Sequence, residues 1–122
     1  MLKLKTKWFH KWSEKNSIGN ENLLKAIKNL DKKQGSVNLG GGLYKIRVSR
    51  SGQGKRGSFR TIVVYKKSDI VIFVYGFSKN EKENLDKEEL KFFKKLAKDL
   101  LIIDKSEYLK MIKLGDFINI EE

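Results

Sequence analysis

The sequence predicts an α+β fold: a small antiparallel sheet with two N-terminal helices and a C-terminal helix packed on one of its faces. Three observations predict it. Apolar residues recur at helical spacing before residue 35, at every second position over 44–48 where the first of three strand-like segments begins, and at helical spacing again after residue 86. A run of strands between groups of helices is typical of an α+β protein. At this length, residues 1–122 are expected to form a single domain.

The N-terminal part is predicted to contain a short strand, Leu2–Thr6, and then two helices. Three aromatic residues follow at helical spacing behind a candidate cap, Thr6, and we expect them to fill the core rather than to form a stacking platform: Trp8, Phe9 and Trp12. For the second helix, Asn20 is the predicted cap and Gly35 the left-handed stop. Its apolar stripe consists of Leu23, Leu24, Ile27 and Leu30.

Three strands are predicted where the apolar period changes to two. On the first, one face carries Tyr44, Ile46 and Val48, and the other carries Lys45, Arg47 and Ser49. A glycine-rich loop over 51–58 leads to the second strand, Phe59–Lys66. After a tight turn over 66–69 comes the third, Ile70–Gly76, which completes an antiparallel meander.

The C-terminal part is predicted to open with a long amphipathic helix. Asp86 and Glu89 have the spacing of a capping box, and the apolar face behind them consists of Leu90, Phe93, Ala97, Leu100 and Leu101. A shorter helix, Ser106–Lys113, is expected to end at Gly115. The segment Phe117–Ile120 is a candidate edge strand.

Positive charge is concentrated in one part of the chain. The net charge is +12, and no acid occurs from Lys32 to Ser68. Within this stretch, Gly40–Tyr65 carries six cations: Lys45, Arg47, Arg50, Lys55, Arg56 and Arg60. Cations at this density repel one another unless a polyanion neutralises them, and phosphate backbones are the usual polyanion. The sequence therefore predicts RNA or DNA binding.

Composition also excludes several kinds of site. Without cysteine the chain has no disulfide, thiolate zinc site or cysteine nucleophile. His10 is the only histidine, which excludes two-histidine metal sites and a nuclease with paired imidazoles. We therefore expect neither a metal nor a cofactor. No apolar run approaches a membrane span and the N-terminus has no signal-peptide core, so a soluble, cytoplasmic protein is expected.

The loop over 52–57, GQGKRG, matches the letters of a dinucleotide-binding fingerprint, but a strand follows it where that fingerprint requires a helix. It is either a plain hairpin loop or one that offers Lys55 and Arg56 to phosphates. Lys45 and Arg47 give a sharper signal, because side chains two apart on a strand leave the same face roughly 7 Å apart. Arg60 joins them if the hairpin register allows.

Past the third strand, Lys79 and Asn80 occupy a strand-to-helix corner, where a rigid scaffold commonly positions functional side chains. A plain polar loop is the alternative. Near the end of the same strand, Tyr75 either stacks on a base or fills the core, and a core position is the preferred interpretation.

Three segments resemble the RelE/HigB superfamily of bacterial toxins from type II toxin–antitoxin modules: KTKWFHKW, LGGGLYKIRVSRSGQGKRGSFRTIVVY and VYGFSKNEKEN. The resemblance spans about residues 3–115. It implies a RelE-like fold and a metal-independent endoribonuclease (an mRNA interferase) that cuts messenger RNA in the ribosomal A site and inhibits translation. It further implies a cognate antitoxin, commonly a helix-turn-helix protein, as partner.

The resemblance also implies roles for individual residues. Lys45 and Arg47 match the family's basic strand pair, and Arg60 matches the arginine that stabilises the phosphorane, with Lys79 in support. Further RNA contacts are assigned to Arg50, Lys55, Arg56, Asn80 and Tyr75. Asn80 stands where the family archetype has a catalytic arginine, and the archetype's C-terminal tyrosine has no counterpart, so the general acid is unassigned. Two alternatives stay open: a non-catalytic RNA- or DNA-binding module, and a gyrase-poisoning toxin of the ParE type.

Overall fold

The computed structural model describes residues 1–49 and 58–120, in which six strands and four helices occur. The strands are β1 (Leu2–Thr6), β2 (Ser36–Gly40), β3 (Leu43–Ser49), β4 (Ser58–Lys66), β5 (Ile70–Ser78) and β6 (Phe117–Asn119). The helices are α1 (Lys7–Lys15), α2 (Asn20–Asp31), α3 (Lys87–Leu101) and α4 (Lys105–Lys113). The α+β class is thereby confirmed. The predicted loop over 51–58 lies outside the described residues except for Ser58.

The strands form one sheet in the order β2-β3-β4-β5-β1-β6. Four of the pairings are antiparallel, but β1 runs parallel to β5, with Leu4 opposite Ile72. The sheet is therefore mixed rather than purely antiparallel as predicted. A parallel neighbour needs a long crossover, and here α1, α2 and three strands separate β1 from β5. β2 was not predicted, because its sequence, SVNLG, lacks a clear apolar alternation.

The helices cover both faces of the sheet, so the expectation of a single covered face is wrong. On one face, α1 and α2 pack against β4 and β5 through a core that includes Phe9, Leu23, Val63 and Phe73. On the other, α3 and α4 pack through Leu4, Ile62, Val64, Ile72, Phe93, Leu100 and Tyr108. Residues 61–65 of β4 are all buried, as expected for a strand that is covered on both sides.

Several helix ends follow the local signals in the sequence. The Thr6 side chain accepts a hydrogen bond from the Phe9 backbone N–H at 3.1 Å, and Asp86 and Glu89 form the predicted capping box. Other ends differ. Gly19, not Asn20, is the N-cap of α2. The left-handed residue that stops α2 is Lys33, with φ of 58°, so Gly35 is not needed for that stop.

A β-bulge in β5 decides which way Tyr75 faces. Ile62 is opposite Tyr75 while Val63 is opposite Phe73, so Val74 is the additional residue. Directly opposite residues share a face of the sheet. Without the bulge, Tyr75 would be opposite Thr61 and on the face that α1 and α2 cover. With it, Tyr75 lies on the α3 face.

The bulge also brings Gly76 under α1. A Cβ atom placed on Gly76 would lie 2.4 Å from the ring of Trp12, much closer than carbon atoms approach in proteins. This position therefore requires glycine, because the indole occupies the space of a side chain. Of the three N-terminal aromatics, Phe9 is fully buried and Trp12 is partly buried against it, but Trp8 is 48% exposed. For Trp8 the prediction of a core position is wrong.

None of the described helices is both long and apolar enough to cross a membrane.

Candidate functional site

The strand register gathers three cations on the α3 face of the sheet. Arg47 of β3 is directly opposite Arg60 of β4, and Lys45 is opposite Ile62. Since opposite residues share a face and alternate residues return to it, Lys45, Arg47 and Arg60 all leave the sheet on the same side. We call these three residues the basic trio. The register that the sequence left open therefore adds Arg60 to the predicted pair.

The basic trio has no carboxylate to neutralise it among residues 1–49 and 58–120. Every ion pair found there involves other cations. Like charges directly opposite each other in a sheet are destabilising, so the Arg47–Arg60 pair costs stability unless an anion lies between them. A phosphate group is the anion that bidentate guanidinium groups hold best.

A second row of side chains continues the same face onto β5. Tyr75 is opposite Ile62, and Phe77 is opposite Arg60. The Tyr75 hydroxyl donates a hydrogen bond to Glu89 Oε2 at 3.2 Å, and its ring lies 5.0 Å from that of Phe93. Tyr75 is thus packed against its neighbours and only partly buried, and base stacking by this residue stays a prediction.

The segment between β5 and α3 brings a fourth cation to this face. Lys82 Nζ lies 5.3 Å from the ring centroids of both Tyr75 and Phe77, and 2.5 Å from Glu89 Oε2. Burial alone would lower the pKa of Lys82, but hydrogen bonds to Glu89 and Tyr75 outweigh it and raise that pKa above the ordinary lysine value. Lys82 therefore stays charged. Nothing in the sequence pattern singled it out from its neighbours.

The same segment also contacts the basic trio directly. Lys45 Nζ donates a short hydrogen bond to the side-chain oxygen of Asn84. An amide oxygen orients an ammonium group but brings no carboxylate charge to it, so this contact leaves Lys45 available to an anionic ligand. Asn84 was not among the predicted site residues. Its only sequence signal is its location in the strand-to-helix corner that also holds Lys79 and Asn80.

Lys79 and Asn80 follow the last residue of β5, and their part in the site stays a prediction. Both side chains are exposed in the turn that follows β5, and within the described ranges neither makes a side-chain hydrogen bond or an ion pair. Three other predicted RNA-contacting residues, Arg50, Lys55 and Arg56, lie outside the described residues.

A cleft of about 580 Å³ adjoins the basic trio at the edge of the sheet. All three cations line it, together with Asn29 and Gln34 near the end of α2. The cleft exists because the pairing of β2 with β3 ends at Ser36 and Ile46, which leaves the rest of β3 uncovered by β2. It gives a polar ligand open access to the cations.

The single histidine is not part of this arrangement. His10 Nε2 lies 3.2 Å from Glu14 Oε1 on α1. Within the described part of the chain, no three histidine, aspartate or glutamate side chains come together as metal ligands do. What the site presents instead is a set of fixed cations, which can hold a phosphate and stabilise additional negative charge on it.

Comparison with known proteins gives one result. A family model described as the RelE toxin of the RelE/RelB toxin–antitoxin system matches residues 1–120, a range that includes every described element and the whole site. A search of curated proteins returned no match.

Proposed function

Because the chain belongs to the RelE toxin family of RelE/RelB toxin–antitoxin systems, we propose that it is a ribosome-dependent endoribonuclease that cuts messenger RNA and so inhibits translation. A toxin of this family has a cognate RelB-type antitoxin as its partner. The observation that carries the proposal is the basic trio: three cations on one face of a sheet, unpaired with any described carboxylate, beside an open cleft.

The chemistry that fits these residues is attack of a ribose 2′-hydroxyl on the adjacent phosphorus. A bond forms between the 2′ oxygen and phosphorus, and the bond to the 5′ oxygen breaks. The proton of the attacking hydroxyl is transferred, in net effect, to the leaving oxygen. The products are a 2′,3′-cyclic phosphate and a 5′-hydroxyl, so the substrate is RNA and not DNA.

The positions of the cations support a role for each of them. Arg47 and Arg60 bracket the phosphate and stabilise the charge that builds up on its oxygens in the transition state. Lys45, oriented by Asn84, faces the same phosphate from the neighbouring position on β3. Lys82, an ammonium group held in place by Glu89 beside Phe77, is the residue we assign to the leaving 5′ oxygen. Lys79, exposed in the turn after β5, keeps the supporting role that the resemblance implies.

The partners and place of action complete the proposal. The substrate is messenger RNA in the ribosomal A site, which places the reaction in the cytoplasm. The antitoxin is a helix-turn-helix protein. Its binding would keep the basic trio from reaching messenger RNA until the antitoxin is lost.

A toeprint of messenger RNA on programmed ribosomes tests this function. Wild-type protein would be compared with Arg60→Ala and Lys45→Ala, with a metal chelator present throughout. Codon-phased cuts that need ribosomes, resist the chelator and disappear in both variants would support the proposal. Intact messenger RNA despite ribosome binding would favour a non-catalytic binder, and inhibition of DNA supercoiling by gyrase would favour the ParE-type alternative.

A further inference from the structure

Trp8 is a large aromatic side chain that the fold holds in place but does not cover. It is 48% exposed on α1. Its ring is nearly parallel to that of Trp12, with centroids 6.1 Å apart and an interplanar angle of 11°, and it lies 5.0 Å from the ring of Tyr75. An indole that already contacts two other aromatic rings is ordered at little further entropic cost, and about half of its surface stays open for a ligand.

The exposed indole is continuous with the basic trio. Tyr75, which contacts Trp8, is opposite Ile62, and Ile62 is opposite Lys45. Neighbouring strands are about 4.8 Å apart, so the backbone of Tyr75 lies roughly 10 Å from that of Lys45. The Trp8 ring lies 5.0 Å from the Tyr75 ring, so a short single strand whose phosphate contacts Lys45 could extend past Tyr75 to Trp8.

The charges around Trp8 favour a nucleic acid over an apolar protein segment. Lys7, Lys11 and Lys15 recur at four-residue intervals along α1 next to the indole. Lys7 reaches Asp116 only at 3.8 Å, and Lys11 has no ion pair with any described residue. An aromatic surface flanked by lysines is the combination that binds single-stranded nucleic acids, because bases stack on the ring while cations contact the backbone.

We propose that Trp8 is a stacking site for a base of the single-stranded RNA whose phosphate the basic trio holds. The inference rests on the proposed function in that RNA is the ligand, but it requires no cleavage. Stacking accepts every base, because each has a π face. Trp8 therefore positions the strand and contributes affinity without choosing a sequence.

Tryptophan fluorescence tests the contact directly, because Trp8 and Trp12 are the only tryptophans. In the Trp12→Phe variant, Trp8 is the sole source of indole emission. The ligand is a short, unstructured 2′-O-methyl oligonucleotide, which cannot be cleaved by 2′-oxygen attack. It should quench the Trp8 emission, and the concentration for half-maximal quenching should equal the one for half-maximal binding in fluorescence anisotropy of the labelled oligonucleotide. Binding detected by anisotropy without any change in Trp8 emission would overturn the proposal.

Affinity measurements with matched variants provide the second test. Trp8→Ala should weaken binding about tenfold or more, whereas Trp8→Phe, which keeps a ring, should weaken it less. Leu109→Ala is the control, since Leu109 on α4 is also 48% exposed, and it should bind like wild type. Trp8→Ala should leave the salt dependence unchanged, whereas Arg60→Ala should reduce its slope by about one. Equal affinity of Trp8→Ala and wild type would contradict the stacking site.

The test of stacking on Trp8 and the test of messenger RNA cleavage can succeed or fail independently. No ribosome and no cleavable bond is present, so stacking on Trp8 is measured whether or not the protein cuts messenger RNA. Quenching of Trp8 together with uncut messenger on ribosomes would support the stacking site and reject the nuclease. Circular dichroism of Trp8→Ala and Trp8→Phe confirms that both variants are folded before their affinities are compared.

Discussion

Arg47 on β3 and Arg60 on β4 are direct cross-strand partners on the α3 face of the sheet. Two guanidinium groups in this relationship repel each other in the unliganded protein. Functional sites commonly reduce the stability of a protein, and here a bound anion would neutralise the repulsion between the two guanidinium groups. The Arg47–Arg60 pair is therefore the observation that most favours the proposal of an anion-binding face.

Replacing one arginine should make the protein more stable. Arg47→Gln removes the like-charge contact and should raise the free energy of unfolding by about 0.5 kcal/mol at low salt. Urea denaturation measures it, and the gain should shrink at high salt because salt screens exposed charges. A loss of stability at low salt would show that Arg47 makes a favourable contact in the unliganded protein. Lys113→Gln on α4, away from the pair, is the control.

The same region should control the reaction rate. Arg60→Ala should lower the rate of ribosome-dependent cleavage by about 10²–10³-fold, the usual effect of removing a group that stabilises transition-state charge. Arg60→Lys should recover only part of this loss, because lysine cannot make a bidentate contact with phosphate. The rate at saturating ribosome concentration is the measurement. Full activity of Arg60→Ala would remove Arg60 from the reaction.

Replacing Asn84 should affect cleavage more than replacing Asn80, although both residues lie in the segment between β5 and α3. Asn84→Ala removes the acceptor that orients Lys45 and should lower the cleavage rate about ten- to a hundredfold. The ribosome concentration that gives half of the maximal rate should change little. Asn80→Ala should have little effect, since the Asn80 side chain is exposed and makes no hydrogen bond with a described residue. The opposite result would favour the assignment implied by family resemblance over the one given by the contacts.

The Glu89 carboxylate should make stability depend on pH in acid. The hydrogen bond from Lys82, followed by that from the Asp86 backbone, lowers the pKa of Glu89 below its ordinary value of 4.5. A lowered pKa stabilises the folded state at pH values above 4.5, and this contribution is lost as the pH falls through the lowered pKa. Glu89→Gln keeps the capping box but removes the charge. Wild type should therefore lose more stability than Glu89→Gln during acid titration, as followed by urea denaturation.

Gly76 should not tolerate a side chain. Gly76→Ala places a methyl group against the Trp12 ring and should destabilise the protein by about 1–3 kcal/mol, the typical cost of overpacking. Thermal and urea unfolding measure this change. The cost should become smaller in a Trp12→Leu background, because the two residues compete for one space. An equal cost in both backgrounds would assign it to the backbone instead.

Local signals in the sequence predicted the helix starts best. Thr6, and the Asp86–Glu89 capping box, act within four residues of the chain, so neighbours in sequence suffice to define them. Predictions that depended on distant segments were less successful. The parallel position of β1 and the covering of both sheet faces arise from contacts between residues far apart in sequence.

The sequence by itself determined the order of most elements, the concentration of positive charge, and the common face of Lys45 and Arg47, because alternation within a strand is a local property. Only the tertiary structure decided that Arg60 is opposite Arg47, that a bulge at Val74 turns Tyr75 to the same face, and which residues beyond β5 reach the site. Pairing register and bulges depend on how segments distant in sequence bury their apolar faces together. A shift of one residue in that register would have separated Arg60 from the other two cations.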